Sequence, residues 1–171
     1  MLQTVAKFLK ILNSDAEPGQ ISLGFAFAMI AGFTPLMSLH NLLVLLLVLF
    51  LRVNLSAFLL GLALFSVLAF ALDPLFHQIG LTILTLPALN ELWTALYNLT
   101  LWRLERFNNS IVMGSLVVSL ALFVPMVVAG NILVRKYREH VLQWVMRTRF
   151  MQAFQASKLF SYYQSVSGWG R

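Results

Sequence analysis

The stretch that decides the fold is residues 18–51, PGQISLGFAFAMIAGFTPLMSLHNLLVLLLVLFL, which contains no Lys, Arg, Asp or Glu. As one straight helix it would be about 51 Å long, whereas the hydrocarbon core of a bilayer is about 30 Å thick. Pro35 removes a helix hydrogen bond, and Gly32 weakens the turn before it. We therefore predict a broken helical hairpin over residues 21–51, which is either re-entrant or crosses the membrane with a tilt.

The composition excludes a soluble globular domain. Of the 171 residues, 60% are hydrophobic and 11% are charged, with a mean hydropathy of +0.83, whereas soluble domains carry about 25% charged residues. Such high hydrophobicity also excludes a disordered chain. The absence of cysteine excludes disulfide bonds and thiolate metal sites. The composition therefore predicts an all-α membrane protein.

Two clear transmembrane helices are predicted after the hairpin. Residues 53–72 contain no charged side chain, and residues 111–134 form a second uncharged run. The pair Asp73-Pro74 is predicted to stop the first of these spans, because proline cannot continue the hydrogen-bond ladder.

Two other segments of the membrane domain are predicted to be interfacial. Residues 1–13 form an amphipathic helix with its lysines on one side. Residues 73–106 carry tryptophan and tyrosine, which favour the membrane–water interface. A span over residues 79–101 is an alternative, but it would bury Glu91.

The charge is concentrated at one end of the chain. Residues 1–134, the predicted membrane domain, carry five basic and five acidic residues, whereas residues 135–171 carry seven basic residues and one acidic residue. The positive-inside rule makes residues 135–171 a basic cytoplasmic tail helix. After a hydrophobic span, such a tail favours anionic lipid over nucleic acid. Both termini are then cytoplasmic in a multi-pass protein, with four crossings, or two if the hairpin is re-entrant.

Small residues at helical spacing predict close packing between helices. The small residues of the first limb recur every four positions, and such stripes let another helix approach closely. Ala57 and Gly61 offer a second small face in the next span. The residues predicted to pack the hairpin are Gly24, Ala28, Gly32 and Pro35.

Polar residues around the second limb are candidates for lipid or substrate contacts. His40 and Asn41 follow the break, where they either cap the second limb or contact a substrate or lipid headgroup. Arg52 either binds a lipid phosphate through its fork of donors or snorkels to the interface. Asn54 is predicted to cap the next helix.

Catalytic and metal-binding patterns are weak. Asp73 and His77 stand four residues apart, so that either Asp73 caps a helix beginning at Pro74 or the pair forms a proton relay. Further ligands are missing from the neighbouring sequence, so no metal site is predicted. The sequence lacks a P-loop and the common hydrolase motifs. We therefore expect no catalytic residue, no cofactor and no enzymatic activity.

The stretch from Ser14 to about Gly80 resembles a bacterial family called domain of unknown function 2062. The resemblance implies a location in the bacterial inner membrane and transfers no catalytic residue. It is closest to a short branch from bacteria with outer membranes, usually paired with a large envelope protein. Asp73 stands where the family usually has asparagine. The motifs that carry the resemblance are Gly32-Phe33-Thr34-Pro35, His40-Asn41, Arg52-Val53-Asn54 and Asp73-Pro74.

Two functions fit these features. The first is a non-enzymatic inner-membrane subunit that anchors or feeds a larger envelope partner, in lipid transport between membranes. The second is a small transporter or lipid flippase that acts on its own as a homo-oligomer, because broken helices with polar residues at membrane depth are typical of transporter sites. Membrane lipids are partners in both hypotheses, and nucleic acid is a partner in neither.

The basic tail predicts where the C-terminus lies. Five basic residues fall between Arg135 and Arg149, directly after the last span, and should hold that end in the cytoplasm. A reporter enzyme that is active only in the periplasm, fused after Arg171, should therefore be silent. Reporter activity in that fusion would contradict the topology.

Overall fold

The computed structural model describes residues 16–141, and every regular element in that range is helical. The predicted interfacial helix at 1–13 lies outside the described residues. The predicted tail helix at 135–171 begins inside the last long helix, and its part beyond Val141 is also outside them. The elements, in chain order, are α1 (Pro18–Phe33), α2 (Leu39–Phe50), α3 (Leu55–Leu84), a 3-10 turn (Pro87–Leu89), α4 (Asn90–Tyr97), α5 (Thr100–Leu104), α6 (Ser110–Lys136) and a π-helical turn (Tyr137–Val141).

Helix α1 is the centre of the bundle. Between Ile21 and Phe33, only Leu23 and Phe25 keep partial exposure, and every other residue is buried. The helices α3 and α6 pack along α1 and also along each other. A helix that is apolar all round belongs inside a bundle, because no face of it gains from contact with water.

Helices α1 and α3 run parallel. At the start of both, the backbone N–H of Asn54 donates to the carbonyl oxygen of Gln20 at 3.1 Å. Near the end of α1, Gly32 lies against Phe65 of α3. The chain must therefore return between them, and α2 is the element that returns.

Helix α6 runs antiparallel to α1. Gly130, late in α6, lies against Ser22, whereas Phe123 packs edge-on against Phe27 at 5.1 Å between ring centroids. Beyond α6, the Nη2 atom of Arg138 donates to a backbone carbonyl just before α1, at 2.8 Å. Both ends of the described chain therefore lie at the same end of the bundle.

The two predicted small-residue faces meet each other. A Cβ atom at Gly61 would lie 2.8 Å from the Cβ atom of Ala28, and one at Gly24 would lie 3.1 Å from that of Ala57. These spacings are too short for real side chains, so glycine is what allows the α1 and α3 backbones to approach. At Gly32 a Cβ atom would lie 2.7 Å from the Phe65 side chain.

The predicted break in the first apolar stretch is present. Helix α1 ends at Phe33, and both Thr34 and Ser38 have extended backbones before α2 begins. Val44 and Val48 of α2 join the core, whereas the leucines around them face away from the bundle. The second limb thus contributes one narrow stripe to the core and leaves a wide apolar surface.

The prediction that Asp73-Pro74 ends the second span is wrong. Helix α3 runs on to Leu84 with Pro74 inside it. One proline removes one N–H donor, and an apolar helix packed against neighbours tolerates that loss. Asp73 therefore lies within a helix and does not cap a new one. The predicted span 53–72 is only the first part of α3.

The segment predicted to be interfacial, residues 73–106, is divided in the structure. Its first part belongs to α3, and the rest forms the 3-10 turn and the short helices α4 and α5. Residues 79–101 do not form one helix, because the chain turns at Pro87. The indole N–H of Trp93 donates to the carbonyl oxygen of Ile83 at 3.3 Å, which ties α4 back to the last turn of α3.

Within the part of the chain that the structure describes, two helices are long and apolar enough to cross a membrane, Leu55–Leu84 and Ser110–Glu139. In the most apolar window of each, 22% of the residues are buried inside the protein. Most of their leucine, valine and phenylalanine side chains therefore face outward. A soluble monomer rarely exposes an apolar surface of this extent.

A second glycine contact, which the sequence analysis missed, joins α3 to α6. A Cβ atom at Gly80 would overlap the carbonyl oxygen of Ser110, and one at Gly114 would overlap that of Phe76. Gly80 lies inside α3, where the absence of a side chain permits this crossing. The atoms that an added Cβ would meet are backbone atoms of Ser110 and Phe76. They cannot move aside as the end of a flexible side chain can, so neither glycine has room for a side chain.

We expect Gly114→Ala to destabilise the protein by about 3 kcal/mol, since the new methyl group must push α3 and α6 apart. Gly19→Ala is the matched control, because a Cβ atom at Gly19 meets nothing within 4 Å. Thermal unfolding of both variants in detergent measures the difference. Equal stability of the two variants would show that the crossing is not as tight as described.

Candidate functional site

A polar cluster lies at the break between α1 and α2, inside an otherwise apolar bundle. Thr34 and Asn41 are both buried, and Glu105 reaches the cluster from the connection between α5 and α6. Buried polar groups are costly unless they are hydrogen-bonded. Among the described residues, every buried side-chain nitrogen or oxygen has a partner. The cluster is therefore a completed network.

Asn41 closes the turn between the two limbs. Its Nδ2 atom donates to the Pro35 carbonyl oxygen at 2.9 Å and to the Thr34 hydroxyl at 3.0 Å. The Thr34 hydroxyl in turn donates to the carbonyl oxygen of Ile30 at 2.8 Å, in the last turn of α1. The amide of Asn41 thus serves carbonyl and hydroxyl groups left without helix partners, which is the capping alternative of the two that the sequence left open.

His40 is held by Glu105, a partner 65 positions away. The backbone N–H of His40 donates to Oε2 of Glu105 at 3.0 Å, and its ring Nδ1 pairs with Oε1. Ser38, the N-cap residue of α2, makes no capping bond of its own, and its hydroxyl lies 3.1 Å from the other ring nitrogen. Glu105 therefore caps α2 from another part of the chain. A carboxylate at the N-terminus of a helix also interacts favourably with the helix dipole.

The backbone at Arg106 explains how Glu105 reaches α2. Arg106 has φ 57°, the left-handed region that non-glycine residues seldom adopt. On either side of it, Glu105 and Phe107 are buried, whereas Arg106 itself is exposed. The ring of Phe107 packs between Trp93 and Trp102, at 6.0 and 6.3 Å between centroids. The left-handed backbone at Arg106 thus lets the side chains of Glu105 and Phe107 point into the protein while the Arg106 side chain points outward.

The sequence analysis missed Glu105. Its only signal was one acidic residue between Arg103 and Arg106, with Trp102 and Phe107 nearby. Pairing across 65 positions depends on where α5 folds back, and no local pattern contains that information. His40 was identified as a candidate, but without its partner.

An open apolar groove of about 730 Å³ begins at the His40–Glu105 pair. The groove lies between α2 and α6, with α1 as its floor and α5 at one end. Apart from His40 and Glu105, every residue that lines it is apolar. The lining residues are Phe27, Ile30, Leu39, His40, Leu43, Val44, Leu47, Leu101, Trp102, Glu105, Leu116, Leu120 and Phe123.

Arg52 lies at the opposite end of α2 from His40. It is exposed, in the short connection to α3. Asn54 caps α3, because its Oδ1 atom accepts from the Ala57 N–H at 2.8 Å. The structure therefore does not bring His40 and Arg52 together, because they lie at opposite ends of α2.

His77 does not pair with Asp73, as the relay alternative to a helix cap would require. Its Nδ1 atom bonds to the Ser110 hydroxyl at 2.6 Å, beside the Gly80–Gly114 crossing. Asp73 stands one turn earlier on α3 and makes no hydrogen bond with His77. Within residues 16–141, no group of three side chains is arranged to hold a metal ion.

We expect Glu105→Ala to lower the free energy of unfolding by about 3 kcal/mol, because it leaves His40 and the first turn of α2 without their partner. Glu105→Gln should cost less, since an amide oxygen still accepts from the His40 N–H. The double variant with His40→Ala should cost less than the sum of the single variants. Thermal unfolding measures all three variants.

The control is Glu91→Ala, which removes an exposed carboxylate in the first turn of α4. Its cost should stay within about 0.5 kcal/mol. Additive costs for His40→Ala and Glu105→Ala would contradict the pairing.

Comparison with known proteins identifies the family. Residues 4–143 match the family described as "Uncharacterized protein conserved in bacteria (DUF2062)". A protein of Treponema pallidum (strain Nichols), described as an uncharacterized protein, is 26% identical over 141 residues, which cover 82% of this chain and 87% of the relative. No solved structure matches the chain. The matched residues include the break, the cluster and the groove, and the chain belongs to the DUF2062 family.

Proposed function

We propose that this protein is a non-enzymatic, multi-pass subunit of the bacterial inner membrane that anchors or feeds a larger envelope partner in lipid transport between membranes. The single observation that carries the lipid part is the apolar groove between α2 and α6. Its volume of about 730 Å³ falls within the range of small-molecule sites. An open groove with an apolar wall suits an acyl chain, which needs no polar contact.

The apolar exterior supports a membrane location. Most of the exposed side chains of α2, α3 and α6 are leucine, valine or phenylalanine. Helix α3 alone is about 45 Å long, more than the thickness of a hydrocarbon core. Helices α1 and α2 are shorter, and they cross or enter the membrane as the two limbs of a hairpin.

The distribution of basic residues supports cytoplasmic termini. Both ends of the described chain lie at one end of the bundle, where Arg138 contacts the segment before α1. Arg52 precedes α3 at this same end, and Arg135 and Lys136 close α6 there. We name this the basic end. The positive-inside rule favours its cytoplasmic placement, and Arg52 is then suited to a phosphate of the cytoplasmic leaflet.

The bonding of the polar cluster supports a structural role at the end of the groove. Glu105 bonds to the backbone N–H and the ring of His40, and the Asn41 amide bonds to the turn. These contacts hold α2 and the α5–α6 connection together, so that the groove keeps its shape.

The proposal predicts that filling the groove stops lipid transport. Leu43 and Leu120 line the groove and are 57% and 56% exposed, so Leu43→Phe with Leu120→Phe adds bulk there without overpacking the core. The matched control is Leu42→Phe with Leu122→Phe, which alters exposed leucines of the same two helices outside the groove. Each double variant is expressed in a strain that lacks the protein. The amount of pulse-labelled phospholipid that reaches the outer membrane then measures how far the variant restores transport.

Only the control pair should restore transport. When the groove-filling variant and the control variant are each purified in mild detergent, a larger envelope protein should copurify with both in stoichiometric amounts. Full complementation by the groove-filled form would refute the lipid role. A homo-oligomer with no larger partner would favour the alternative, a transporter acting on its own.

A further inference from the structure

We infer that the groove is the acyl-chain half of a binding site for an anionic phospholipid, whose phosphate is held by Arg103 and Arg106. The inference rests on the proposed lipid role and adds a headgroup class and a position. The site opens at the end of the bundle opposite the basic end, which corresponds to the periplasmic leaflet. It is separate from Arg52, which lies at the other end of α2.

Arg103 and Arg106 adjoin in sequence the residues at one end of the groove, its mouth. Trp102 and Glu105 line the groove, and Arg103 lies between them in sequence at the end of α5. The Arg103 side chain is exposed, as is that of Arg106 one residue beyond Glu105. Two exposed arginines are therefore the sequence neighbours of the residues that form this end of the groove.

These two arginines lack an acidic partner within the part of the chain that the structure describes. The nearby carboxylate of Glu105 pairs instead with His40. That contact turns the Glu105 carboxylate into the bundle and away from the arginines. Glu91, on α4, is exposed and pairs with neither of them. The positive charge at the mouth of the groove is thus available to an anion.

The left-handed backbone at Arg106 gives this arrangement a structural basis. A non-glycine residue in that region is strained, and such strain is often found at binding sites. Here it lets Glu105 and Phe107 enter the protein while the Arg106 side chain stays outside. Guanidinium groups match phosphate oxygens through paired donors, and Trp102 beside them suits the headgroup level of a bilayer.

The length and lining of the groove favour an acyl chain as its occupant. The lining runs along α2 from Leu39 to Leu47, a rise of about 12 Å. It is apolar apart from His40 and Glu105, and an acyl chain needs no polar partner. The groove therefore holds the upper part of a lipid tail, and its open side leaves the remainder in the bilayer.

The test places a brominated lipid against Trp102, because bromine quenches tryptophan fluorescence at contact. The full chain is prepared with Trp102 as its sole tryptophan by Trp93→Phe, Trp144→Phe and Trp169→Phe. It is reconstituted in phosphatidylcholine bilayers that contain a small fraction of phosphatidylglycerol brominated on its acyl chains. If the brominated lipid mixed at random, the quenching of Trp102 would follow its mole fraction in the bilayer. Quenching above that level measures selective occupancy of the groove.

We expect selective quenching of Trp102, and a loss of about three- to tenfold in apparent affinity when Arg103→Gln and Arg106→Gln are combined, since each exposed contact contributes modestly. The control with the same change of charge is Arg135→Gln with Lys136→Gln at the basic end, which should leave the quenching unchanged. Filling the groove by Leu43→Phe with Leu120→Phe should abolish the selectivity. Leu42→Phe with Leu122→Phe should preserve it.

Other outcomes overturn the inference. Equal quenching by brominated phosphatidylcholine would mean that the groove takes any lipid without reading the phosphate charge. Low quenching by every lipid would mean that a protein segment covers the groove. An equal loss in the Arg135→Gln, Lys136→Gln control would indicate general attraction to the charged chain. In each case the proposed subunit role still stands or falls on the transport assay.

Discussion

The close approach of α1 to α3 is the contact on which the other packing depends. Gly24, Gly32 and Gly61 remove the side chains that would keep the two backbones apart, and Ala28 fits against Gly61. Because α1 is enclosed by α3 and α6, almost none of its surface is left for other contacts. Helix α1 is 16 residues long, and the chain turns at its end, before Pro35.

That turn creates the polar cluster, and the cluster in turn shapes the groove. Pro35 ends the helical path, so the start of α2 needs hydrogen-bond partners in an apolar setting. Asn41 supplies some of them, and Glu105 supplies the rest from the α5–α6 connection. The His40–Glu105 contact holds α5 beside α2, and the space left between α2 and α6 is the groove. A capping requirement is thus what positions the walls of the candidate lipid site.

Local patterns in the sequence predicted much of this architecture and failed where distant segments meet. The break near Pro35 and the cap at Asn54 follow from hydrogen-bond geometry within a few residues. The second long apolar helix follows from a run of residues without charge. Pro74 was misjudged, because a proline in a long apolar helix is tolerated when neighbours pack around it. Glu105 was missed, because its partner is 65 positions away.

The sequence by itself determined that the chain is helical, apolar and basic at its C-terminal end, because composition and periodicity depend only on which residues are present and how they are spaced. It also determined where small residues allow close packing. Only the tertiary structure decided which small faces meet, such as Gly80 with Gly114, and which acid pairs with His40. These contacts depend on the paths of several helices at once. Each joins residues far apart in the chain, so the entropy cost of closing the loop between them must be met before the contact stabilises the fold.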